Sequence, residues 1–207
     1  MSKNKITQKI LLIAVLLISF FGMNLEEGKA QIIPCPAGFL SYPVSELIGG
    51  CWYEYEICYK CDPTGNEQVM YLNYVHKLDL SCTGTMNMNQ VINYITNKMK
   101  SPAFVSSLCT GIAPCSEPSL EVIVHIPICW TKTKIGTGVF YTYCFWDASY
   151  CVEQWKMCYD PILDRVVSIL VYKGISGDPA CSTEPPTPNT GWSDCFYFPD
   201  NLCGYED

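Results

Sequence analysis

Residues 51–61 read CWYEYEICYKC, from Cys51 to Cys61, and their side chains alternate between two classes. One face is aromatic and aliphatic, with Cys51, Tyr53, Tyr55, Ile57 and Tyr59. The other face is mostly polar, with Trp52, Glu54, Glu56, Cys58 and Lys60. A period of two with one apolar face predicts a half-buried strand. The cysteines within it belong to a much larger set.

Fourteen cysteines occur in the chain, and none precedes residue 35. They are Cys35, Cys51, Cys58, Cys61, Cys82, Cys109, Cys115, Cys129, Cys144, Cys151, Cys158, Cys181, Cys195 and Cys203. In an exported chain we expect such cysteines to form structural disulfides. Spacing leaves the pairing open, with one suggestion: a two-residue turn at Asp147 and Ala148 would put Cys144 opposite Cys151.

Residues 1–30 have the composition of a cleaved signal peptide. Three lysines precede residue 10, residues 10–21 are almost entirely apolar, and Gly28 and Ala30 place small side chains where a signal peptidase cleaves. A membrane anchor is the alternative, but the apolar run is about half of the ~20 residues that span a bilayer. We therefore expect a protein that is secreted, periplasmic or held at the cell surface, with no transmembrane segment after signal cleavage.

The predicted mature chain, residues 31–207, suits a single disulfide-rich domain, because 207 residues less the first 30 leave 177. Four of the 13 basic residues and two of the 20 acidic residues precede Gln31. The mature chain therefore has nine basic and eighteen acidic residues, a net charge of −9. Such a chain repels phosphate backbones, so we expect no nucleic acid partner.

Alternation predicts about six strands, arranged as hairpins and a meander in a mainly antiparallel sheet. They cover residues 51–61, 68–80, 120–132, 139–146, 150–159 and 165–173. In the second of these, Met70, Leu72, Tyr74, His76, Leu78 and Leu80 share a face. Pro127 predicts an edge position or a bulge, because proline cannot donate to a ladder.

Helical spacing interrupts the strands once. Met88, Val91, Ile92, Ile95 and Met99 recur at the helical period after a cap at Asn87 or Asn89. Pro102 ends this helix or begins a second short one through Leu108. Residues from 174 onward, rich in proline and with three cysteines, predict an irregular tail stapled by disulfides. The predicted fold class is therefore α+β, mainly antiparallel sheet with one or two helices inserted in the middle.

A weak repeat relates two predicted hairpins, residues 51–80 and 151–173. The pattern Cys51-x6-Cys58-Tyr59 is matched by Cys151-x6-Cys158-Tyr159, and Asp-Pro follows each copy shortly. A duplication would explain the match. Chance is the alternative, because cysteine and tyrosine are abundant in this chain.

The sequence offers little support for catalysis or metal binding. Cys58-x2-Cys61 is the only such cysteine pair, and a zinc site would want a second pair or suitably spaced histidines. His76 and His125, the only histidines, both lie in strand patterns, where a hydrogen-bonded structural histidine is the commoner case. The stretch 62–67 has oxygen ligands at alternate positions, but it lacks the length of an EF-hand loop and is interpreted as a turn. We expect no catalytic residues, no metal and no cofactor.

Aromatic side chains give the remaining functional signal. Trp52 shares a strand face with Glu54 and Glu56, and exposed rings on a rigid sheet suit a glycan platform or a protein interface. Trp52, Glu54 and Glu56 are thus the predicted binding face, for an unknown protein or glycan partner. Rings that fill the core and cover disulfides are the alternative.

The favoured function is an exported, disulfide-stabilised, non-catalytic binding or structural module of the envelope or extracellular space. One alternative is a secreted hydrolase that uses carboxylates, favoured by a cleft lined by Glu54, Glu56 or Glu153 beside an exposed tryptophan. Another is a self-assembling extracellular subunit.

We predict that the exported protein begins at Gln31 and contains no thiol. Its intact mass should rise by about 14 Da on reduction, two hydrogens for each bridge. Mass spectrometry with and without reductant measures both features. A retained N-terminal segment would contradict the signal prediction, and alkylation without reductant would contradict the disulfide prediction.

Overall fold

The computed structural model describes residues 33–109, 111–144, 149–183, 191–198 and 203. Over these residues the chain forms ten strands in one hydrogen-bonded sheet, and two helices that pack on one face of it. The strands are β1 (Leu40–Ile48), β2 (Cys51–Cys61), β3 (Glu67–Lys77), β4 (Leu120–Pro127), β5 (Cys129–Ile135), β6 (Gly138–Tyr143), β7 (Tyr150–Asp160), β8 (Arg165–Ser176), β9 (Ser182–Thr183) and β10 (Phe196–Tyr197). The helices are α1 (Met88–Met99) and α2 (Pro102–Leu108). The protein is mostly sheet with two short helices, but it has more strands than the six predicted.

β2 has the predicted alternation. Tyr53 and Tyr55 are buried against the helices, whereas Trp52 and Glu54 are exposed on the opposite face. On one side β2 pairs with β3, and on the other with β1, which the sequence analysis missed. β1 is hard to recognise because Pro43 interrupts it, and its position at the sheet edge is where a strand tolerates proline.

The sheet forks along β3. Residues 67–71 of β3 pair with β4, and residues 74–77 pair with β6. The predicted antiparallel meander is therefore wrong at its centre, because β3 and β4 run parallel and β6 is not hydrogen-bonded to β7. Parallel neighbours need a long crossover, and the segment that carries α1 and α2 provides it.

The predicted strand over residues 120–132 is likewise two strands, β4 and β5, separated at Ile128. Pro127 is the last residue of β4 and lies beyond the part of β4 that pairs with β3. β4 is otherwise an interior strand between β3 and β7, so the predicted edge position is wrong. The fork is what makes this proline compatible with the sheet, because no ladder partner from β3 reaches it.

A bulge at Asn73 changes which side chains of β3 face the core. Glu56 pairs with Tyr74, but the next residue of β2 pairs with Leu72, so Asn73 is the extra residue. Val75 is buried with Leu72, whereas Tyr74 and His76 point to the other face. The common face predicted for this strand is therefore wrong beyond Leu72, because one inserted residue reverses every side chain after it.

Both helices begin at side-chain caps. Asn87 accepts from the backbone of Gln90, and the Gln90 side chain accepts from the Asn87 backbone, a reciprocal capping box. Ser101 caps α2, with Pro102 at its first turn. The apolar face of α1, including Val91, Ile92, Ile95 and Met99 as predicted, is fully buried against the sheet.

Seven disulfides pair all fourteen cysteines. They are Cys35–Cys58, Cys51–Cys82, Cys61–Cys109, Cys115–Cys158, Cys129–Cys181, Cys144–Cys195 and Cys151–Cys203. The suggestion that Cys144 faces Cys151 is wrong, because each bonds to the C-terminal part of the chain instead. The proposed turn at Asp147 and Ala148 and the predicted signal peptide, residues 1–30, lie outside the described residues.

The two hairpins of the suggested repeat both form, as β2–β3 and β7–β8. In each, the second cysteine of the pattern bonds to a segment outside the hairpin, Cys58 to Cys35 and Cys158 to Cys115. Each second strand also has one bulge. Duplication remains a prediction, as does the division into a signal peptide and one domain.

Removing the Cys51–Cys82 bond, by Cys51→Ala with Cys82→Ala, should lower the free energy of unfolding by about 3 kcal/mol, because the unfolded chain regains entropy. The bond closes a span of 31 residues that leads into α1. Urea unfolding followed by circular dichroism measures the change, and hydrogen exchange of α1 should accelerate.

The matched control is Cys115→Ala with Cys158→Ala, which opens a span of 43 residues away from α1. It should lower global stability by a similar amount without selective exchange in the helix. Unchanged stability in the first variant would contradict a structural role for that bond.

Candidate functional site

The predicted binding face lies on the side of the sheet opposite the helices. Trp52 is 55% exposed, and Glu54, two residues along the same face, is exposed as well. Leu47 of β1 is the direct cross-strand partner of Trp52 and is also exposed. An indole, an aliphatic side chain and a carboxylate therefore meet solvent together at this edge of the sheet.

Glu56, the third predicted residue, is used differently. It is partly buried and accepts hydrogen bonds from Ser41 Oγ at 2.5 Å and Asn73 Nδ2 at 2.5 Å. Asn73 Nδ2 also donates to the carbonyl of Ile33 at 2.7 Å. Glu56 thus helps to hold the N-terminal segment, and the accessible part of the predicted face is Trp52 and Glu54.

His76 joins this face because of the bulge in β3. Its Nδ1 lies 3.6 Å from Glu54 Oε2. Burial lowers the pKa of His76, and this outweighs the Glu54 carboxylate, which raises it. The imidazole is therefore neutral at neutral pH, so His76 is not a cationic partner for Glu54 at this contact.

Aromatic rings continue from His76 to a second exposed tryptophan. The Phe140 ring centroid lies 5.5 Å from that of His76, 4.7 Å from that of Tyr74 and 6.1 Å from that of Trp192. Phe140 is buried between these rings, whereas Trp192 is exposed. We call the resulting surface the tryptophan face, defined as Leu47, Trp52, Glu54, His76 and Trp192.

The strand that carries Trp52 is held at three places. Cys51, the residue before Trp52, bonds to Cys82, and Cys58 and Cys61 bond to Cys35 and Cys109. Covalent anchors at both ends of β2 restrict its backbone. Because this backbone is already restricted, a ligand that contacts Trp52 would remove little further conformational freedom from the protein. The entropic cost of binding is therefore low.

Glu153 lies on the opposite, helix-facing side of the sheet. It is buried, with Oε2 2.7 Å from Lys100 Nζ and Oε1 3.2 Å from Lys173 Nζ, and it accepts from Trp155 Nε1 at 3.2 Å. Burial alone would raise the pKa of this carboxyl, but the two lysines lower it below its ordinary value. Glu153 and Glu54 therefore form no common cleft, and the hydrolase alternative loses one of its named carboxylates.

A second carboxylate also ties α1 to the sheet. Glu46 of β1 accepts from Lys98 Nζ at 2.7 Å, from the Tyr55 hydroxyl at 2.8 Å and from the Tyr94 hydroxyl at 2.9 Å. Burial would raise its pKa, but these hydrogen bonds and the Lys98 charge hold the pKa below its usual range. Glu46 and Glu153 therefore both hold α1 against the sheet, through Lys98 and Lys100.

His125 occupies an aromatic cluster. Its ring stacks on Tyr71 at a centroid distance of 4.1 Å and meets the edge of Tyr150 at 5.8 Å. Burial lowers the pKa of His125 to about 4, so the ring is neutral and packs as an aromatic group.

The described residues hold one group with metal-ligand spacing, Cys35, Glu56 and Cys58. Cys35 and Cys58 are disulfide-bonded to each other, so neither sulfur is a thiolate that could bind a metal. The stretch 62–67 forms the predicted turn, where Asp62 accepts from the hydroxyl and, at 3.2 Å, from the backbone N–H of Thr64. Its oxygens therefore stabilise the turn itself.

Sequence reasoning found Trp52 and Glu54 but did not place the other members of the tryptophan face beside them. Leu47 was missed because its strand was not recognised, and His76 because the bulge reversed its side. Trp192 reaches the face through a C-terminal segment whose position depends on the disulfides of Cys181 and Cys195. The pairing of those cysteines could not be read from spacing.

No protein-family model, curated protein or solved structure matches this chain. Neither helix in the described part of the chain is long and apolar enough to cross a membrane. Seven disulfides fit a disulfide-stabilised, extracellular type of protein.

The two helix-docking carboxylates should make the protein sensitive to acid. A carboxyl whose pKa is lowered in the folded state contributes stability above its unfolded pKa, and that stability is lost as pH falls through the folded pKa. The buried neutral histidines His76 and His125, whose pKa values are lowered, should make the free energy of unfolding start to fall below about pH 6.5, and the two carboxylates should add a further fall below about pH 4. Urea unfolding across this pH range measures it.

Glu153→Gln should lower stability at neutral pH by about 3 kcal/mol, because it leaves two lysines without their carboxylate. It should also flatten the acid limb of the pH profile. Glu117→Gln, at an exposed position, is the matched control and should behave as the unaltered protein. An unchanged profile for Glu153→Gln would contradict the role given to this carboxylate.

Proposed function

We propose that this protein is an exported, non-catalytic binding module, and that its tryptophan face binds a neutral glycan of the envelope or extracellular space. The observation that supports this most directly is the exposed Trp52 beside Glu54 on a strand with three disulfides. Such a face offers an apolar surface, a hydrogen-bond acceptor and a rigid backbone together.

The chemistry of the face favours a sugar ring. The apolar C–H groups of a sugar pack on an indole, whose area is large and whose ordering cost is small. Sugar hydroxyls can donate to the carboxylate of Glu54. Nδ1 of the partly buried His76 lies 3.6 Å from Oε2 of Glu54.

Charge argues for a neutral ligand. The chain has a net charge of −7, and Glu54 adds a local negative charge at the face. An acidic polysaccharide would be repelled, whereas a neutral glycan would not. A protein partner remains the other outcome of a screen, because exposed Leu47 and Trp52 would also suit an interface core.

The hydrolase alternative gains no comparable support. Its carboxylates are divided between the two faces of the sheet, and Glu56 is engaged with Ser41 and Asn73. A retaining or inverting glycosidase needs two carboxyl groups on either side of one bond. Glu54 is the one member of the named set that is exposed to solvent.

We predict that Trp52→Ala weakens glycan binding by about 30-fold, the loss of about 2 kcal/mol typical of an aromatic anchor. The oxidised protein is first screened against neutral and acidic glycans, and the best ligand is then titrated by calorimetry. Glu54→Gln should weaken binding less, because the amide oxygen still accepts hydrogen bonds.

Tyr172→Ala is the matched control, since Tyr172 is another exposed aromatic residue, on β8. It should bind as the unaltered protein does. Equal affinity of Trp52→Ala and the unaltered protein would exclude the tryptophan face as the binding site. If the protein bound no glycan but bound a protein from envelope extracts, the proposed glycan ligand would be wrong and the partner would be a protein.

A further inference from the structure

β8 is the terminal strand of the longest path through the sheet. Within the described part of the chain it pairs only with β7, from Arg165 to Ser176 with a bulge at Val171. Its outer edge therefore presents a row of backbone N–H and C=O groups that another strand can pair with.

The side chains of β8 are also apolar and exposed. Ile169, Leu170, Val171 and Tyr172 are consecutive and all exposed. Ile169 and Leu170, which precede the bulge at Val171, point to opposite faces, so this run exposes apolar side chains on both faces of the sheet. Exposed Ile162 and Leu163 lie in the turn that leads into β8.

The edge strand β1 is protected by proline and charge, whereas the one such feature of β8 is a bulge at Val171. β1 contains Pro43 and Glu46, and natural edge strands use proline and charge to prevent pairing with other chains. β8 has no proline or acid, and its basic residues, Arg165 and Lys173, lie towards its ends. The chain as a whole is acidic, so most surfaces of two copies would bring carboxylates together. Two β8 strands can meet without opposing carboxylates.

We propose that β8 pairs antiparallel with β8 of a second copy of this chain, to form a two-fold symmetric dimer. A two-fold axis perpendicular to the sheet makes the two β8 strands antiparallel. Such a contact is self-complementary and closed, and it brings apolar side chains of both faces into cross-strand contact. By contrast, stacking copies by translation would join β8 to β1 in the less stable parallel arrangement, because β1 and β8 run in the same direction.

One register of this pairing sets Leu170 opposite Leu170 of the second copy. With Val171 left unpaired, as it is against β7, Lys173 faces Ser168 and Arg165 faces Ser176. No like charges then lie directly opposite each other, an arrangement that would be destabilising. Lys173 is in addition neutralised by Glu153 at 3.2 Å in its own copy.

The oligomeric state of the oxidised protein, measured by analytical ultracentrifugation over a wide concentration range, tests the proposal. We expect a reversible dimer that Ile169→Lys weakens at least about tenfold. Leu40→Lys is the matched control, because Leu40 and Ile169 are both 60% exposed apolar residues of edge strands. It should leave the dimer intact, and circular dichroism verifies that both variants fold.

The register has its own test. Leu170→Lys and Leu170→Glu should each be monomeric alone, whereas their mixture should form a heterodimer, because the opposite charges face each other at the two-fold axis. The proposal would be overturned if the unaltered protein were strictly monomeric. It would also be overturned if β8 of a monomeric protein paired only with an added extended peptide. Dissociation by Leu40→Lys but not by Ile169→Lys would overturn it as well. The dimer does not involve the tryptophan face, so Trp52→Ala should not change it.

Discussion

The three disulfides of β2 are the constraint on which the rest of the structure depends. The crossover between parallel strands β3 and β4 contains both helices, and β2 is bonded to it on either side of them, at Cys82 and Cys109. These two anchors lie at opposite ends of β2, about 33 Å apart at the rise of an extended strand. A crossover of this length has a large closure entropy, and the bonds reduce it by restricting the unfolded chain.

Features that depend on neighbouring residues were predictable from the sequence. The alternation of β2 and the apolar face of α1 are local patterns, and the capping residue Asn87 adjoins the helix that it begins. Features that depend on distant partners were not. The parallel pairing of β3 with β4 joins strands about 50 residues apart, and the pairing of fourteen cysteines has too many solutions for spacing to decide.

The bulge at Asn73 shows how one residue limits prediction of the candidate site. Regular alternation would turn His76 towards the helices, yet the extra residue turns it to the face that carries Glu54. Asn73 then uses its side chain to bind Glu56 and the Ile33 carbonyl, so the bulge also positions the N-terminal segment. Nothing in the local composition of β3 marks this position, because Asn73 stands in an otherwise continuous strand pattern.

The difference between the carboxylates follows from which face of the sheet they occupy. Glu46 and Glu153 point towards the helices, where burial penalises their charge, and each is compensated by lysine. Glu54 points to the open face, where water solvates its charge and no such compensation is needed. Its described polar contact is a neutral imidazole, so most of its hydrogen-bonding capacity stays available to a ligand. The same alternation that buries the aromatic core of β2 therefore leaves a carboxylate and an indole together on a covalently anchored strand.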